Sequence, residues 1–193
     1  MEKKLNLEGA NQIYLDWKDS LKIISNKKDK VVLEFGCGFG TQILCDNFKE
    51  VYSFEVHGIR KWYDKTVELL SDWDNWHGMF HTGEELGIRE AVQNVYKNKN
   101  NRDQTPFYNK GGYYDKLNEF VDLSKVDVAF VDHSQNMRAE TVNYLMDNDI
   151  PIIFAHDTKY GHDVYGWGLV NTDNGYEAVN INSGQGVTYW IKK

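Results

Sequence analysis

The sequence predicts an α/β fold: an open, mostly parallel sheet with helices on both faces, closed by an antiparallel hairpin. Three observations carry this prediction. Short unbroken apolar runs alternate with helical periods from Val31 to Asp157, the pattern of parallel strands buried on both faces. The first run, VVLEF, passes directly into a turn with glycine at alternate positions, Gly36, Gly38 and Gly40. A strand entering a glycine-rich turn and then a helix makes room for a nucleotide-like ligand at a sheet edge. Finally, YEAVNIN and GVTYWIKK flank Ser183-Gly184-Gln185-Gly186, which reads as a hairpin.

The elements follow in order. Ile13, Trp17, Leu21 and Ile24 recur at a helical period within Asn11–Ser25,. Strand one is Val31–Phe35, and a helix over about Thr41–Phe48 leads to strand two, Val51–Glu55. The next helix spans about Ile59–Leu70, with Trp62, Val67 and Leu70 expected inward. A short third strand is placed at Met79–His81 and a helix at Glu84–Tyr96. The polar stretch Lys97–Lys116 holds Pro106 and Gly111-Gly112 but also Phe107, Tyr108, Tyr113 and Tyr114. A loop this long in a compact domain is either functional or mobile, so residues 97–116 are expected to form a lid or substrate wall, the alternative being a locally packed or disordered insertion. Strand four is Val126–Asp132, a helix covers about Met137–Asp147, and strand five is Pro151–Asp157.

The 193 residues suit one domain, 1–193,. With 41% hydrophobic and 14% aromatic residues, a packed core is expected,. The net charge of −7 argues against non-specific nucleic-acid binding. Cys37 and Cys45 form no CxxC or zinc-type spacing, which fits a reduced cytoplasmic setting. The N-terminal MEKKLNLEGANQ lacks an apolar leader core, and no apolar run approaches the roughly 18 residues of a membrane span,. A cytoplasmic protein without membrane contact is expected; homo-oligomerisation is left open.

The glycine spacing selects among ligands. Dinucleotide sites want G-x-G-x-x-G; here the pattern is E-x-G-x-G-x-G, Glu34 to Gly40. Glu34 would repel a phosphate and suit an ammonium. A second acid, Glu55, ends the next strand 21 positions after Glu34, where a carboxylate can accept hydrogen bonds from ribose hydroxyls. A ligand with an amino-acid end and a ribose but no phosphate fits: S-adenosyl-L-methionine.

At these residues the chain resembles the class I S-adenosylmethionine-dependent methyltransferases, from about Val31 to the terminal hairpin. The resemblance implies a Rossmann-like, three-layer αβα fold with a seven-stranded sheet whose last strand is antiparallel. It also implies that Glu34 and the Gly36, Gly38, Gly40 turn line the methionine end and that Glu55 holds the ribose. His81, Thr82 and Gly83 fall where that family contacts adenine.

A second constellation follows strands four and five, FVDHSQNMR and FAHDT. Strand C-termini share the ligand side of an open parallel sheet, so Asp132 and Asp157 are expected close together, beside the cofactor. Read from the residues, they form a Mg²⁺ site completed by neutral oxygens, or else Asp132 caps a helix and Asp157 a turn. The pair is similar to the divalent-metal-dependent catechol-type O-methyltransferases. That resemblance implies Mg²⁺ held by Asp132 and Asp157, with Thr158 at a third ligand position. Where that group has a lysine base, this chain has Gln135, which cannot take a proton at neutral pH. Candidate bases are then His133, His156, Lys159 and His162. His133 comes first because it follows Asp132 and titrates near neutrality. Arg138 is open to a substrate anion, Asp132 or Glu140, and Tyr160, Tyr165 and Trp167 to either a pocket rim or the core. The expected activity is methyl transfer to a hydroxyl oxygen of a small molecule or sugar. The alternatives are a cofactor-binding protein without transfer, or a methyltransferase acting on a macromolecule.

Overall fold

The structure is a computed structural model. It describes residues 17–56, 60–83, 85–86, 112–133, 138–159, 166–171, 173–181 and 184–193. Strands β1 (Val31–Phe35), β2 (Glu50–Val56), β3 (Trp76–His81), β4 (Val128–Val131), β5 (Ile152–His156), β6 (Tyr176–Ile181) and β7 (Val187–Lys192) form one seven-stranded sheet. Its order is β3-β2-β1-β4-β5-β7-β6. The first five strands pair in parallel, whereas β7 runs antiparallel to both β5 and β6. This is the predicted architecture, hairpin included. Helices α1 (Thr41–Asn47), α2 (Arg60–Leu69), α3 (Tyr113–Phe120) and α4 (Arg138–Asp147) connect the strands. None of the described helices is long and apolar enough to cross a membrane.

The central strands β1, β4 and β5 are apolar throughout because both faces are covered. Leu33, Phe35, Ala129, Val131, Ile153 and Ala155 face α3 and α4, packing with Leu117, Val142 and Leu145. The alternate residues Val32, Val128, Phe130 and Phe154 face α1 and the helical turn over 17–21, packing with Leu44 and Trp17. The Phe130 and Phe154 rings stack at 4.8 Å, and Trp17 meets Phe130 edge-on at 4.7 Å. Each fully buried Leu or Phe contributes about 1.5–3 kcal/mol relative to exposure.

Several boundaries shift. The third strand begins at Trp76, three residues before the predicted Met79, because it pairs along the whole of β2. In α2 the buried positions are Tyr63 and Thr66, followed by Leu70; these share one face at helical spacing. Trp62 and Val67, expected inward, are 42% and 41% exposed. Tyr113 and Tyr114 belong to α3 and are buried in the core, so they pack the domain and line no loop. The remainder of the proposed lid, residues 97–111, lies outside the described residues, as does nearly all of the Glu84–Tyr96 helix.

Candidate functional site

The strand order reverses between β1 and β4: from β1 the chain proceeds outward through β2 and β3, and β4 then starts on the other side. The carboxyl ends of these strands flank a crevice where open α/β sheets bind ligands. The glycine turn lies at that point. Gly36 has φ +87°, and a Cβ there would lie 2.7 Å from the Asp132 carbonyl oxygen. The turn leaving β1 and the end of β4 therefore touch backbone to backbone, which only glycine permits. The Asp132 N–H donates to the Phe35 carbonyl at 2.9 Å, extending this contact.

Glu34 is the hub of a buried polar chain. Its Oε2 accepts from the Ser53 hydroxyl at 2.6 Å and from the Thr41 hydroxyl at 2.8 Å. The Thr41 hydroxyl in turn accepts from the Gly38 N–H at 2.9 Å, and the Trp76 Nε1–H donates to Ser53 Oγ at 2.9 Å. Gly40 caps α1, which starts at Thr41. Burial pushes the Glu34 carboxyl up to about 8, against the two hydroxyl hydrogen bonds,.

Glu55 is the second buried acid. Its Oε2 accepts from the Cys37 N–H at 2.9 Å, and burial raises it to about 7. On the other side of the same residue, the Cys37 carbonyl accepts from Trp62 Nε1–H at 2.8 Å. The exposed Trp62 thus covers the glycine turn, and a Cβ on Gly38 would lie 3.0 Å from its ring. Burial also pushes the Cys37 thiol far up, leaving it inert as a nucleophile. Among the described residues no cationic side chain pairs with Glu34 or Glu55.

At the end of β3, the His81 ring lies 5.8 Å from Phe54, and its buried Nε2 has no hydrogen-bond partner among the described residues. The Thr82 N–H donates to Glu85 Oε2 at 2.8 Å, and the Glu85 N–H donates back to Thr82 Oγ1 at 3.2 Å.

Across the crevice, β4 and β5 bring Asp132, His156 and Asp157 together, their possible ligand atoms within 4.8 Å of one another. Arg138, the first residue of α4, enters the same space. Its guanidinium lies 2.9 Å from Asp132 Oδ1 and 2.8 Å from Asp157 Oδ2. It also donates to the backbone carbonyls of His133 at 2.8 Å and His156 at 2.9 Å. His156 Nδ1 stands 3.4 Å from Asp132 Oδ1 and 3.2 Å from Asp157 Oδ1. Burial disfavours the charged ring, but the two carboxylates outweigh it and lift His156 to about 10. Asp157 is held below the ordinary range: burial opposes ionisation, and His156 and Arg138 overcome it. Asp157 also has φ +62°, a left-handed conformation in a non-glycine residue,.

No protein-family model matches the chain, and no curated protein matches its sequence. Solved structures do match it in shape. Fibrillarin from Aeropyrum pernix, solved with bound S-adenosyl-L-methionine, superposes with a TM-score of 0.58 at 11% identity, over 93% of this chain and 76% of fibrillarin. An rRNA methylase from Streptococcus thermophilus gives 0.52 at 15% identity, over 100% and 98% of the two chains. A Staphylococcus aureus protein described as a caffeoyl-CoA O-methyltransferase gives 0.51 at 12% identity, over 100% and 85%. The chain has the Rossmann-like methyltransferase fold. At such identities the likeness is one of architecture.

Within this fold the structure brings together Glu34, Gly36, Gly38, Gly40, Glu55 and Asp132 around the crevice. It sets others apart. His133, the first-choice base, is buried; its Nε2 meets Thr141 Oγ1 at 3.0 Å and its ring packs on Phe35 at 5.4 Å. Burial and the Arg138 charge push it down to about 3, too weak a base to take a proton at neutral pH. Lys159 is exposed, with its Nζ donating to the Gly184 carbonyl at 2.9 Å in the β6–β7 turn. Thr158 is held by the same turn: its N–H donates to the Gly186 carbonyl at 3.2 Å, and a Cβ on Gly186 would lie 3.1 Å from its Oγ1. His162, Gln135, Tyr160 and Tyr165 lie outside the described residues, while Trp167 donates to the Asp157 carbonyl at 3.4 Å. Sequence reasoning missed the cover formed by Trp62. The available signal was its indole N–H at the third residue of a helix that follows an acid-ended strand.

Proposed function

We propose that this chain binds S-adenosyl-L-methionine in the β1–β4 crevice and transfers its methyl group to a hydroxyl oxygen of a small molecule or sugar. The observation that carries the reading is the Glu34–glycine turn–Glu55 arrangement at the switch point: two buried acids with no cationic partner among the described residues, beside an open-backbone turn. Such acids fit a ligand that brings an ammonium and ribose hydroxyls. The unpartnered His81 Nε2 at the end of β3 fits a heteroaromatic base. When bound, the cofactor supplies an electrophilic methyl on a sulfonium.

The chain's own residues then do the following. Glu34 and the turn receive the amino-acid end, and Glu55 exchanges its Cys37 N–H for ribose hydroxyls. Asp132 bridges to the acceptor side: among the described residues its contacts with Arg138 and His156 fall on Oδ1, and Oδ2 is the oxygen that accepts the acceptor hydroxyl's hydrogen bond and takes its proton as the O–CH3 bond forms and the S–CH3 bond breaks. Aligning nucleophile and methyl supplies most of the acceleration. In this reading Asp132 replaces His133 and Lys159 as the group that orients the acceptor. The Mg²⁺ of the sequence reading fits poorly, because Arg138 and His156 already engage both acids and Thr158 faces the hairpin turn; no step is routed through it. The charge of −7 favours a small or uncharged acceptor over a polyanion.

Calorimetry with S-adenosyl-L-methionine and its demethylated product tests the reading. Micromolar binding by the wild type is expected, weakened at least tenfold in Glu55→Ala. Absent binding, or equal binding by the variant, would remove its basis. A methyl-transfer screen across hydroxylated small molecules and RNA then separates acceptor classes.

A further inference from the structure

We propose that Arg138 is a built-in cation that occupies, and so closes, a site whose acid geometry would otherwise hold a divalent metal. Asp132, His156 and Asp157 offer ligand atoms within 4.8 Å of one another, close enough for a Mg²⁺ or Mn²⁺ ion to draw them into one coordination shell with a small side-chain adjustment. The guanidinium lies between the same groups, 2.9 Å from Asp132 and 2.8 Å from Asp157.

This guanidinium is no swinging surface arm. Arg138 is only 6% exposed. Two of its contacts go to backbone carbonyls, at His133 and His156, which follow or end β4 and β5. These carbonyls fix the planar fork independently of the acids, and a fork of this kind spans two carboxylates where a single ammonium cannot. A metal entering the cluster would leave that fork buried beside a second cation and without the carboxylates that now compensate it, an arrangement that opposes metal entry. The permanent charge of the guanidinium already faces both carboxylates, which lowers the pull of the cluster on an entering ion,. The acceptor side of the crevice is therefore run without metal, which removes the need for a chelating diol in the acceptor.

Metal binding by the folded chain tests this without cofactor or acceptor. Wild type, Arg138→Met and Asp132→Asn/Asp157→Asn are titrated with MnCl₂, read by calorimetry and by the shift of the thermal midpoint against EDTA. The expectation is no specific Mn²⁺ binding and no midpoint shift in the wild type. Arg138→Met should gain one site that is lost when Asp157→Asn is added. Stoichiometric Mn²⁺ binding by the wild type, abolished in the double Asn variant, overturns the proposal. So does an Arg138→Met protein that folds yet gains no site. If Arg138→Met does not fold, Arg138→Lys takes its place under the same readings, since one ammonium cannot hold all four acceptors. These outcomes are independent of S-adenosyl-L-methionine binding, so failure here leaves the methyl-transfer reading standing, and the reverse.

Discussion

Replacing Glu34 with Gln should flatten the pH dependence of folding stability. Glu34 is only 3% exposed, and burial outweighs the hydroxyls of Ser53 and Thr41. Its carboxyl sits at about 8 in the folded chain against an ordinary 4.5. The folded state therefore holds the proton more tightly than the unfolded state. Where the native state binds more protons, stability falls as pH rises. The stability present near pH 4.5 is thus lost progressively up to about pH 8. With about 1.4 kcal/mol per pKa unit, the loss from pH 6 to pH 8 is about 2 kcal/mol, and about 5 kcal/mol over the whole window. Glu55, raised to about 7, adds a slope of the same sign in both proteins and cancels in the comparison. Denaturant unfolding of wild type and Glu34→Gln at pH 5, 6, 7 and 8 measures the difference. The wild-type midpoint should drop relative to the variant by about 4–8 °C between pH 6 and 8 in a parallel thermal series. Parallel curves, or a wild type that gains stability with pH, would refute the reasoning: Glu34 would then be ionised in the folded chain and stabilised by a partner.

Four further outcomes follow. Gly36→Ala should cost roughly 3 kcal/mol in denaturant unfolding, because it combines an unfavourable positive φ with an overlap against the Asp132 carbonyl,. Trp62→Phe, which keeps a ring but loses the hydrogen bond to Cys37, should cost about 1 kcal/mol of stability. Trp62→Ala should also weaken S-adenosyl-L-methionine binding by about tenfold; unchanged calorimetric affinity would make Trp62 a bystander. His156 is lifted from 6.5 to about 10, so its contribution is fully present below pH 6.5 and fades towards pH 10. His156→Gln should lose stability at pH 7 and converge on the wild type near pH 10, a trend followed by unfolding midpoints across that range.

The frame of the site was legible because it depends on local pattern. The run VVLEF, the alternate glycines and the acid after VYSF are each readable from a few adjacent residues, and the sheet places them together. What stayed hidden depends on direction or on convergence. Trp62 reads as core by its apolar character, yet its indole reaches across to the Cys37 carbonyl, 25 positions back. Tyr113 and Tyr114 read as loop because Asn-Lys-Gly-Gly precedes them, yet tertiary burial draws them into a helix. The Asp132–Asp157 pair was visible at the two strand ends, but its closure by Arg138 depends on where α4 begins and how it packs against β4 and β5. His133 shows the same limit. Its neighbour in sequence faces the crevice, while its own ring turns inward towards Thr141.

The contact between Gly36 and the Asp132 carbonyl has a mechanical consequence. Neighbouring strands stand about 4.8 Å apart, and at this point no atom intervenes between their backbones. On the function proposed above, the residue that begins the cofactor-side turn and the residue that faces the acceptor are thus locked to a single lattice step of the sheet. A loop insertion elsewhere can reshape the acceptor pocket, and a change in α2 can alter the cover over the turn. Neither can alter the spacing between donor and acceptor sides without breaking the β1–β4 pairing itself. With that proposed function, the fold keeps the reaction distance as a fixed dimension and leaves specificity to the parts that can vary.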